Sequence, residues 1–507
     1  RALKALQEKG LQAIPGKALS RADRETLQRA GFLKDVIRGW YIPRRPDEAE
    51  GDTAAWYASM REFVAGYSNE RFKDRWHLNP EQSLLLRSGE RSLPKQLQIW
   101  AAEGSNQTVP LPHGCSLFIY RPSELLAASA VQDCGGLRLV ELPHALVAAS
   151  PTLYVRSAIA AQAALASLPD VSDLLRLLLD GSHSSSAAAS RLAGAFRAIG
   201  RPRLADEILS AMRAAGYTVN EVNPFEKPLP APLPGGRPES PYVARLRLMW
   251  AAMREPVLAG FPGPKVPPGD VEKLLRDVEE RYLTDAYHSL SIEGYRVSAE
   301  LIEKVRDGRW APDSNAADRA TRDAMAARGY FETHNVVKDD LVRVIKGENP
   351  GTVFRHGLAR WYRALFSPSV QAGILKASDL AGYRNDQVYI RGALHVPPSK
   401  EAVRDCMPVL FELLEREKEP QVRAVRGHFL FVYIHPYMDG NGRLARFLMN
   451  LMLVSAGYIW TVIPVQQRNK YMKALEQASS FGNIEPFAVF VAGLTQAQLK
   501  APLPRPK

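Results

Sequence analysis

The stretch His435–Arg446 reads HPYMDGNGRLAR and decides the fold of the C-terminal part of the chain. The apolar run before it, Val425–Ile434, is typical of a buried helix. This helix must end at Pro436, because proline lacks a backbone N–H and disfavours helical geometry in the residue before it. Gly440 and Gly442 then predict an irregular loop, after which apolar residues recur at helical spacing. The pattern predicts a helix, a glycine-rich loop and a second helix.

This loop has the properties of an anion-binding site. A helix N-terminus presents unpaired N–H groups and the positive end of the helix dipole, and glycine allows a phosphate group to approach the backbone. Arg443 and Arg446 add positive charge nearby. The sequence therefore predicts a phosphate-binding loop at the start of the second helix.

The twelve residues resemble the signature of the Fic family, H-P-F-x-[DE]-G-N-G-[KR]-x-x-R, with Tyr437 in the position of Phe. The resemblance implies transfer of AMP from ATP to a Ser, Thr or Tyr hydroxyl of a target protein. His435 is then the general base and Asp439 holds Mg²⁺, roles that suit a side chain titrating near neutrality and a carboxylate beside phosphates. By the same resemblance, the phosphates are bound by Gly440, Asn441, Gly442, Arg443 and Arg446.

A second segment resembles the inhibitory motif of the same family, [ST]-x-x-x-E-[GN]. A helix predicted from about Val271 ends near Ser289, and Glu293 and Gly294 follow it. Taken alone, the spacing of Ser289 and Glu293 fits an ordinary solvated helix face. The resemblance implies that Glu293 pairs with Arg446 and keeps the ATP γ-phosphate out of its productive position.

Residues 382–398, GYRNDQVYIRGALHVPP, predict a β-hairpin, because two short β-prone runs flank Arg391-Gly392. Their position and wording resemble the Fic flap, which lies over the active site and pairs with an extended target segment. The flap residues that would set the register of the target are Val388, Tyr389, Ile390, Arg391 and Gly392.

The first 46 residues form a small basic module. They hold eleven Lys or Arg against four Asp or Glu, a net of +7 out of the chain's +12. A helix over 21–30, opened by Ser20, and a hairpin over 32–43 predict a winged helix-turn-helix. Residues 19–41 are similar to the start of AbiEi-type antitoxins. Basic residues on one helix face, Arg21, Arg24 and Arg29, indicate DNA binding, and the alternative is a solvated face of a protein-binding module.

Length and composition set the remaining organisation. At 507 residues, two to four domains are expected. We divide the chain into a winged helix-turn-helix-like module (1–46), an α+β to helical middle domain (47–222), a linker with seven prolines between 223 and 241 (223–245) and a Fic domain (246–500). Three cysteines without metal-like spacing indicate a reducing cytoplasm. No apolar run is long enough to span a membrane, and no signal peptide is visible.

The expected fold is mainly α: a helical Fic core with a small β-hairpin flap, preceded by the basic module and the middle domain. The expected activity is that of a protein adenylyltransferase that uses ATP and Mg²⁺. Two alternatives stay open. The same site could remove AMP from a target or transfer another phosphate-containing group, with Glu293 orienting a water, or the chain could be a DNA-binding, antitoxin-like regulator. The sequence leaves the target and the oligomeric state open, a homo-oligomer included.

Overall fold

The computed structural model describes residues 3, 6, 11–44, 46, 53–92, 94–180, 185–226, 239–261, 271–307 and 322–506. Within these residues the chain is mainly helical, which confirms the predicted fold class. It forms two compact units, one of residues 1–248 and 389–396 and one of residues 249–388 and 397–507. The central part of the predicted proline-rich linker, residues 227–238, lies outside the described residues.

The N-terminal part of the first unit contains the predicted helix and hairpin. Ser20 caps the helix, and its Oγ accepts a hydrogen bond from Asp23 N at 3.1 Å. The three strands form an antiparallel sheet in the order β1-β3-β2. A helix-turn-helix needs a second helix, and most of residues 1–10 are not described, so the winged helix-turn-helix stays a prediction. The elements are β1 (Ile14–Pro15), α1 (Arg21–Arg29), β2 (Leu33–Ile37) and β3 (Trp40–Pro43).

This small sheet shares a hydrophobic core with the next helix, α2 (Ala54–Phe72). The Trp40 and Phe63 rings pack edge to face with centroids 5.6 Å apart. The Trp40 ring packs on Gly66, where any side chain would clash, because a Cβ atom there would lie 2.5 Å from the ring. The basic N-terminal residues are therefore held against the segment that follows them by aromatic packing.

The rest of the first unit has a four-stranded sheet, a two-stranded sheet and a helical layer. The four-stranded sheet has the order β4-β5-β7-β6, with β5 and β7 parallel. The strands and helices of this part of the first unit are, in chain order, β4 (Trp76–Leu78), α3 (Pro80–Arg87), β5 (Gln96–Ala101), β6 (Gln107–Pro110), β7 (Ser116–Tyr120), β8 (Val131–Cys134), β9 (Leu137–Val140), α4 (Leu142–Ala148), α5 (Pro151–Arg156), α6 (Ala158–Ser167), α7 (Ser172–Leu179), α8 (Ser185–Ala198) and α9 (Pro202–Ala214).

The second unit is helical, and its two most buried helices, α17 (Pro420–Ile434) and α18 (Asn441–Val454), flank the loop at 435–440. Almost every residue of α17 and α18 is buried, including the predicted apolar stripe at 444, 447, 448 and 451. No described helix has the length and apolar character needed to cross a membrane. The helices are α10 (Pro241–Ala252), which begins in the first unit, α11 (Arg254–Gly260), α12 (Val271–Ile292), α13 (Ala299–Arg306), α14 (Arg322–Ile345), α15 (Pro350–Gln371), α16 (Lys400–Arg416), α17 (Pro420–Ile434), α18 (Asn441–Val454), α19 (Arg468–Phe481) and α20 (Glu485–Lys500).

The predicted β-hairpin of the flap is wrong in part. A turn forms at Arg391-Gly392, where Ile390 O accepts from Ala393 N at 3.1 Å, but residues 388–396 contain no strand. In place of hydrogen bonds between two strands, the segment makes a hydrogen bond and packing contacts with residues outside it. Gly392 N donates to Thr53 Oγ1 at 3.2 Å, and Tyr389 packs against the core of the first unit. Residues 389–396 accordingly belong to that unit.

Candidate functional site

His435 lies at the end of helix α17 in a conformation that is rare outside glycine. Its φ and ψ are 53° and 61°, in the left-handed region, and its N–H donates to Phe431 O at 3.0 Å. Pro436 follows and prevents the helix from continuing. This reversal turns the chain out of α17 and into the glycine-rich loop, as the sequence predicted.

The imidazole of His435 is held in one tautomer. Its Nδ1 lies 3.1 Å from Val432 O, and a carbonyl oxygen only accepts, so Nδ1 carries the proton. Nε2 is then left with its lone pair. Burial of the ring lowers the pKa of His435 to about 4, against the smaller raising effects of the Val432 carbonyl, Glu293 and Asp439. The side chain is therefore neutral near pH 7 and can accept a proton at Nε2.

Gly440 and Asn441 fix the loop between the two helices. Gly440 has φ 82°, and a Cβ atom there would lie 2.7 Å from the Phe366 ring. The Asn441 side chain binds both backbone polar groups of Tyr437: its Oδ1 accepts from Tyr437 N at 3.0 Å, and its Nδ2 donates to Tyr437 O at 2.9 Å. Both polar ends of the Asn441 side chain thus hold the loop in place.

A carboxylate lies against the start of helix α18. A Cβ atom on Gly442 would lie 2.3 Å from Glu293 Oε1, so glycine leaves the space that this carboxylate takes. Gly442 is the second residue of the helix, where backbone N–H groups lack partners within the helix. Glu293 therefore lies where the sequence predicted that an anion would bind.

Arg446 joins this carboxylate to the end of helix α12. Its Nη2 donates to Glu293 Oε1 at 2.7 Å, and its Nε donates to Ser289 Oγ at 2.9 Å. Burial alone would lower the pKa of Arg446, but the Glu293 carboxylate together with Tyr471 and Tyr330 outweighs burial, and the pKa is raised. Gly294, with φ 88°, ends the helix where a C-terminal cap was predicted. The structure thus brings together Ser289, Glu293 and Arg446.

Arg443 is almost fully buried but keeps hydrogen-bond donors free. Its Nη2 lies 3.2 Å from Asp439 Oδ2, and its guanidinium carbon lies 5.1 Å from the centroids of both the Tyr295 and Phe366 rings. Nε and Nη2 make no hydrogen bond to any residue that the structure describes. An unpaired buried donor is costly, so this guanidinium is suited to receive an anionic ligand.

The residues present fit a magnesium ion that is bound together with a nucleotide. The side chain of Asp439 is 54% exposed, and its Oδ1 accepts from Gly440 N at 2.6 Å. No described residues form a cluster of three or more His, Cys, Asp or Glu that could hold a metal by themselves. One carboxylate combined with phosphate oxygens and water is the ligand set that magnesium prefers.

Arg384 is a site residue that the sequence interpretation missed. It is 2% exposed, its Nε donates to His435 O at 2.8 Å, and its N–H donates to Pro436 O at 2.9 Å. Its guanidinium also binds the carbonyl oxygens of Asp386 and Pro398, at the two ends of the flap segment. Arg384 therefore fixes the backbone that carries the catalytic candidate, and no periodicity in the sequence marks it.

Two buried, hydrogen-bonded pairs of polar side chains interact electrostatically with Arg446. Tyr330 Oη donates to Asp285 Oδ2 at 2.6 Å, and both side chains are buried. Burial raises the pKa of Asp285 to about 6, although the Tyr330 hydroxyl opposes this shift. His428 and Tyr471 hydrogen-bond at 2.9 Å, and burial lowers the pKa of His428 to about 3. None of these four residues belongs to a sequence motif that would have identified it as part of the site.

Residues 357–453 match the model of the Fic/DOC family. This part of the chain is a Fic domain. The match covers helices α15 to α18 and the loop between α17 and α18, and thus includes His435, the glycine-rich loop and both arginines. The predicted family resemblance is confirmed.

Curated relatives resemble the chain over a larger region. The protein adenylyltransferase Fic of Drosophila yakuba is 31% identical over 232 residues, 45% of this chain and 43% of that protein. Those of Drosophila melanogaster and Aedes aegypti are each 30% identical over 232 residues, 43% and 42% of their lengths. The chain thus spans less than half the length of the curated relatives that it matches.

The chain also resembles solved structures at low identity. A segment of Fic-1 from C. elegans is 18% identical, covers 71% of this chain and 89% of that segment, and has a TM-score of 0.36. A Fic domain-containing signalling protein from Bacteroides thetaiotaomicron is also 18% identical with a TM-score of 0.36, and covers 51% of this chain and 94% of that protein.

Proposed function

We propose that the Fic domain transfers AMP from ATP to a hydroxyl side chain of a target protein. The observation that carries the proposal is the neutral His435 imidazole with Nε2 free, directly before a loop whose helix N-terminus and two arginines are suited to phosphate. The matched relatives bear the name protein adenylyltransferase.

In this proposal His435 Nε2 takes the proton of the target hydroxyl. The hydroxyl oxygen attacks the α-phosphorus of ATP, the bond to the bridging oxygen breaks, and pyrophosphate leaves. Asp439 would hold Mg²⁺, which neutralises charge on the phosphate oxygens when bound. Gly440 and Gly442 let the phosphates approach the helix N-terminus, and Arg443 and Arg446 bind them. Residues 388–392 are the proposed docking segment of the target.

We further propose that Glu293 inhibits the domain. Its carboxylate lies against Gly442 and binds Arg446, so a phosphate and Glu293 compete for one guanidinium and one helix N-terminus. Arg446 is 3% exposed, so a nucleotide reaches it only after the carboxylate withdraws. The bond from Arg446 to Ser289 Oγ holds the guanidinium in place for this pair.

Transfer of label from α-³²P-ATP to protein tests the activity. The Glu293→Gly protein, with lysate as the source of targets, is expected to label itself and a target, and His435→Ala in the same background is expected to label neither. Label supplied in the γ-phosphate should stay in solution as pyrophosphate. Transfer of the γ-label would show that another phosphate group moves. Release of AMP from a premodified target, without forward labelling, would favour AMP removal with Glu293 orienting a water.

Location and assembly are part of the proposal. The cysteines Cys115, Cys134 and Cys406 are free, which suits a reducing compartment, and we place the activity in the cytoplasm. Whether the chain acts as a homo-oligomer is decided by its mass in solution.

DNA binding by the N-terminal module is a second candidate function. A pocket of about 460 Å³ in the first unit is lined by four cationic side chains and by only one acid, Glu70, which Lys17 binds at 2.7 Å. Of the residues singled out in the sequence, Arg24 lines this pocket, whereas Arg21 binds Glu25 at 2.8 Å and Arg29 is exposed in the last turn of α1. Such a concave basic surface suits phosphate. The four cationic residues are Lys17, Arg24, Arg38 and Arg71.

Charge reversal tests this second function. Arg24→Glu with Arg38→Glu should lower the affinity for duplex DNA and reduce the slope of log affinity against log salt by about one for each lost phosphate contact. Arg121→Glu with Arg176→Glu, a control of equal charge at exposed sites of the same unit, should change the slope less. Absence of any shift of DNA by the intact chain at low salt would favour a protein-binding module.

A further inference from the structure

Two buried arginines of the second unit are held in different ways. The guanidinium of Arg426 binds the Glu417 carboxylate and the Trp250 carbonyl oxygen, so both of its terminal nitrogens are paired within the protein and only Nε is not. Arg443 is equally buried, and its only carboxylate neighbour among the described residues is Asp439, whose Oδ2 lies 3.2 Å from Nη2 without forming a hydrogen bond, while Nε has no partner there either. Two aromatic rings also contact the Arg443 guanidinium. Arg443 therefore has more unpaired donors than Arg426 and one more aromatic contact.

The two rings hold Arg443 without using its donors. Tyr295 and Phe366 each lie with the ring centroid 5.1 Å from the guanidinium carbon. A cation–π contact uses the faces of the ring and of the guanidinium group, and leaves the N–H edge free for an oxygen ligand. The Tyr295 ring also lies 5.3 Å from the guanidinium carbon of Arg322, so two cations share it.

We propose that Tyr295 is a positioning residue that orients Arg443 for a phosphate group of the nucleotide. The proposal rests on the proposed nucleotide-dependent function of this site. In this chain the ring supplies the contact to the first arginine of the signature, and Phe366 supplies the other.

Tyr295 and Glu293 should act in opposite directions, although they are two residues apart. Glu293 binds the N–H edge of Arg446 and so competes with phosphate for those donors. The Tyr295 ring contacts the Arg443 guanidinium, whose Nε and Nη2 have no hydrogen-bond partner among the described residues, so the ring takes neither donor from a phosphate. Removing the carboxylate should strengthen the binding of ATP, whereas removing the ring should weaken it.

Calorimetric titration of ATP and of adenosine tests this inference. The parent protein carries Glu293→Gln and His435→Ala, so that the inhibitory charge is absent and the nucleotide is not consumed. Adding Tyr295→Ala is expected to weaken ATP by about 2- to 30-fold, the range for loss of a cation–π contact. Affinity for adenosine should not change, because it has no phosphate. Tyr295→Phe should match the parent, because the ring is kept.

Tyr287→Ala is the matched control, since Tyr287 is a partly exposed tyrosine of helix α12. Equal melting temperatures of the variants show that each is folded. If Tyr295→Ala binds ATP as tightly as the parent, or if Tyr295→Phe is as weak as Tyr295→Ala, the inference is overturned. A parent that binds ATP but transfers no AMP when His435 is restored overturns the proposed function alone. A parent that binds no ATP overturns both.

Discussion

At the scale of single residues, His435 gives a prediction for catalysis. His435→Ala should lower AMP transfer by at least about 10²-fold, the usual effect of losing a general base. Affinity for ATP should change little, because Nε2 acts on the acceptor hydroxyl. Labelling rates and calorimetric titration of the same variant measure the two effects. Transfer at the wild-type rate by His435→Ala would contradict the assignment.

The same residue predicts how the rate depends on pH. Only neutral imidazole accepts the proton, and the pKa of His435 is lowered to about 4. The rate of transfer by the Glu293→Gly protein should therefore be nearly flat from about pH 6 to pH 8 and should fall as the pH approaches 4. Single-turnover rates across this range provide the measurement. A fall centred near pH 6.5, the value of a free histidine, would show that the imidazole is not shielded from water.

Glu293 gives the third prediction at this scale. Glu293→Gln keeps the shape of the side chain but removes the charge that binds Arg446, so AMP transfer should rise well above wild type. Arg446→Ala should not reproduce this increase, because it also removes a phosphate ligand, and the double variant should behave like Arg446→Ala. Labelling rates at saturating ATP and Mg²⁺ measure all three variants. Glu300→Gln, in the exposed first turn of the next helix, is the matched control.

At the scale of elements, two asparagines of helix α18 make the same kind of hydrogen bonds, but only one of them holds the glycine-rich loop. Comparing them distinguishes an effect on the loop from an effect on stability alone. The Asn441 side chain binds the backbone N–H and C=O of Tyr437. The Asn450 side chain binds the backbone N–H and C=O of Thr461 in the same way, at 2.8 and 3.1 Å. Both side chains are 1% exposed. Replacing either by Ala leaves buried backbone groups without partners, at a cost of about 1–3 kcal/mol for each group.

We therefore expect Asn441→Ala and Asn450→Ala to lower the melting temperature to a similar extent but to differ in activity. Asn441→Ala frees the loop that presents the helix N-terminus, so it should weaken ATP binding and slow AMP transfer. Asn450→Ala lies at the other end of the helix and should leave the activity of the folded protein near that of its parent. If the two variants lose activity equally, the Asn441 bonds act only through stability.

At the scale of the whole molecule, buried titratable groups predict acid sensitivity. Burial lowers the pKa of His334 and His428 to about 3 and that of His435 to about 4. Between these values and 6.5 the unfolded chain binds protons that the folded chain does not, so the free energy of unfolding falls as the pH falls from about 6.5. Each group contributes a slope of up to about 1.4 kcal/mol per pH unit.

Asp285 opposes this trend. Burial raises its pKa to about 6, so it stabilises the fold as the pH falls from 6 towards 3.8. Three histidines against one carboxyl group predict a net loss of stability over this interval. Denaturant unfolding from pH 7 to pH 4 measures the slope. His334→Phe should reduce it, because His334 packs between the rings of Tyr282 and Trp460 without a hydrogen-bond partner among the described residues. His356→Gln, at an exposed site of helix α15, should not.

The sequence by itself determined the local features of this protein. Pro436 and Gly440 act through steric limits on their own backbone, so HPYMDGNGRLAR encodes the end of one helix and the start of the next wherever it folds. For the same reason, the N-cap at Ser20, the hairpin at 33–43 and the cap at Gly294 agree with the structure. The Glu293–Arg446 pair was expected only through the family resemblance.

Only the tertiary structure decided the contacts that join distant segments. Arg384 reaches the His435 carbonyl across 51 residues of sequence, and Tyr295 reaches Arg443, yet neither belongs to a periodic pattern. The flap segment has β-prone residues, but it forms no strand pair. It packs in the core of the first unit and makes a hydrogen bond to Thr53. Helix ends depend on neighbouring residues, which a sequence displays directly. Long-range contacts depend on which surfaces are buried together, and this is fixed only when the chain packs.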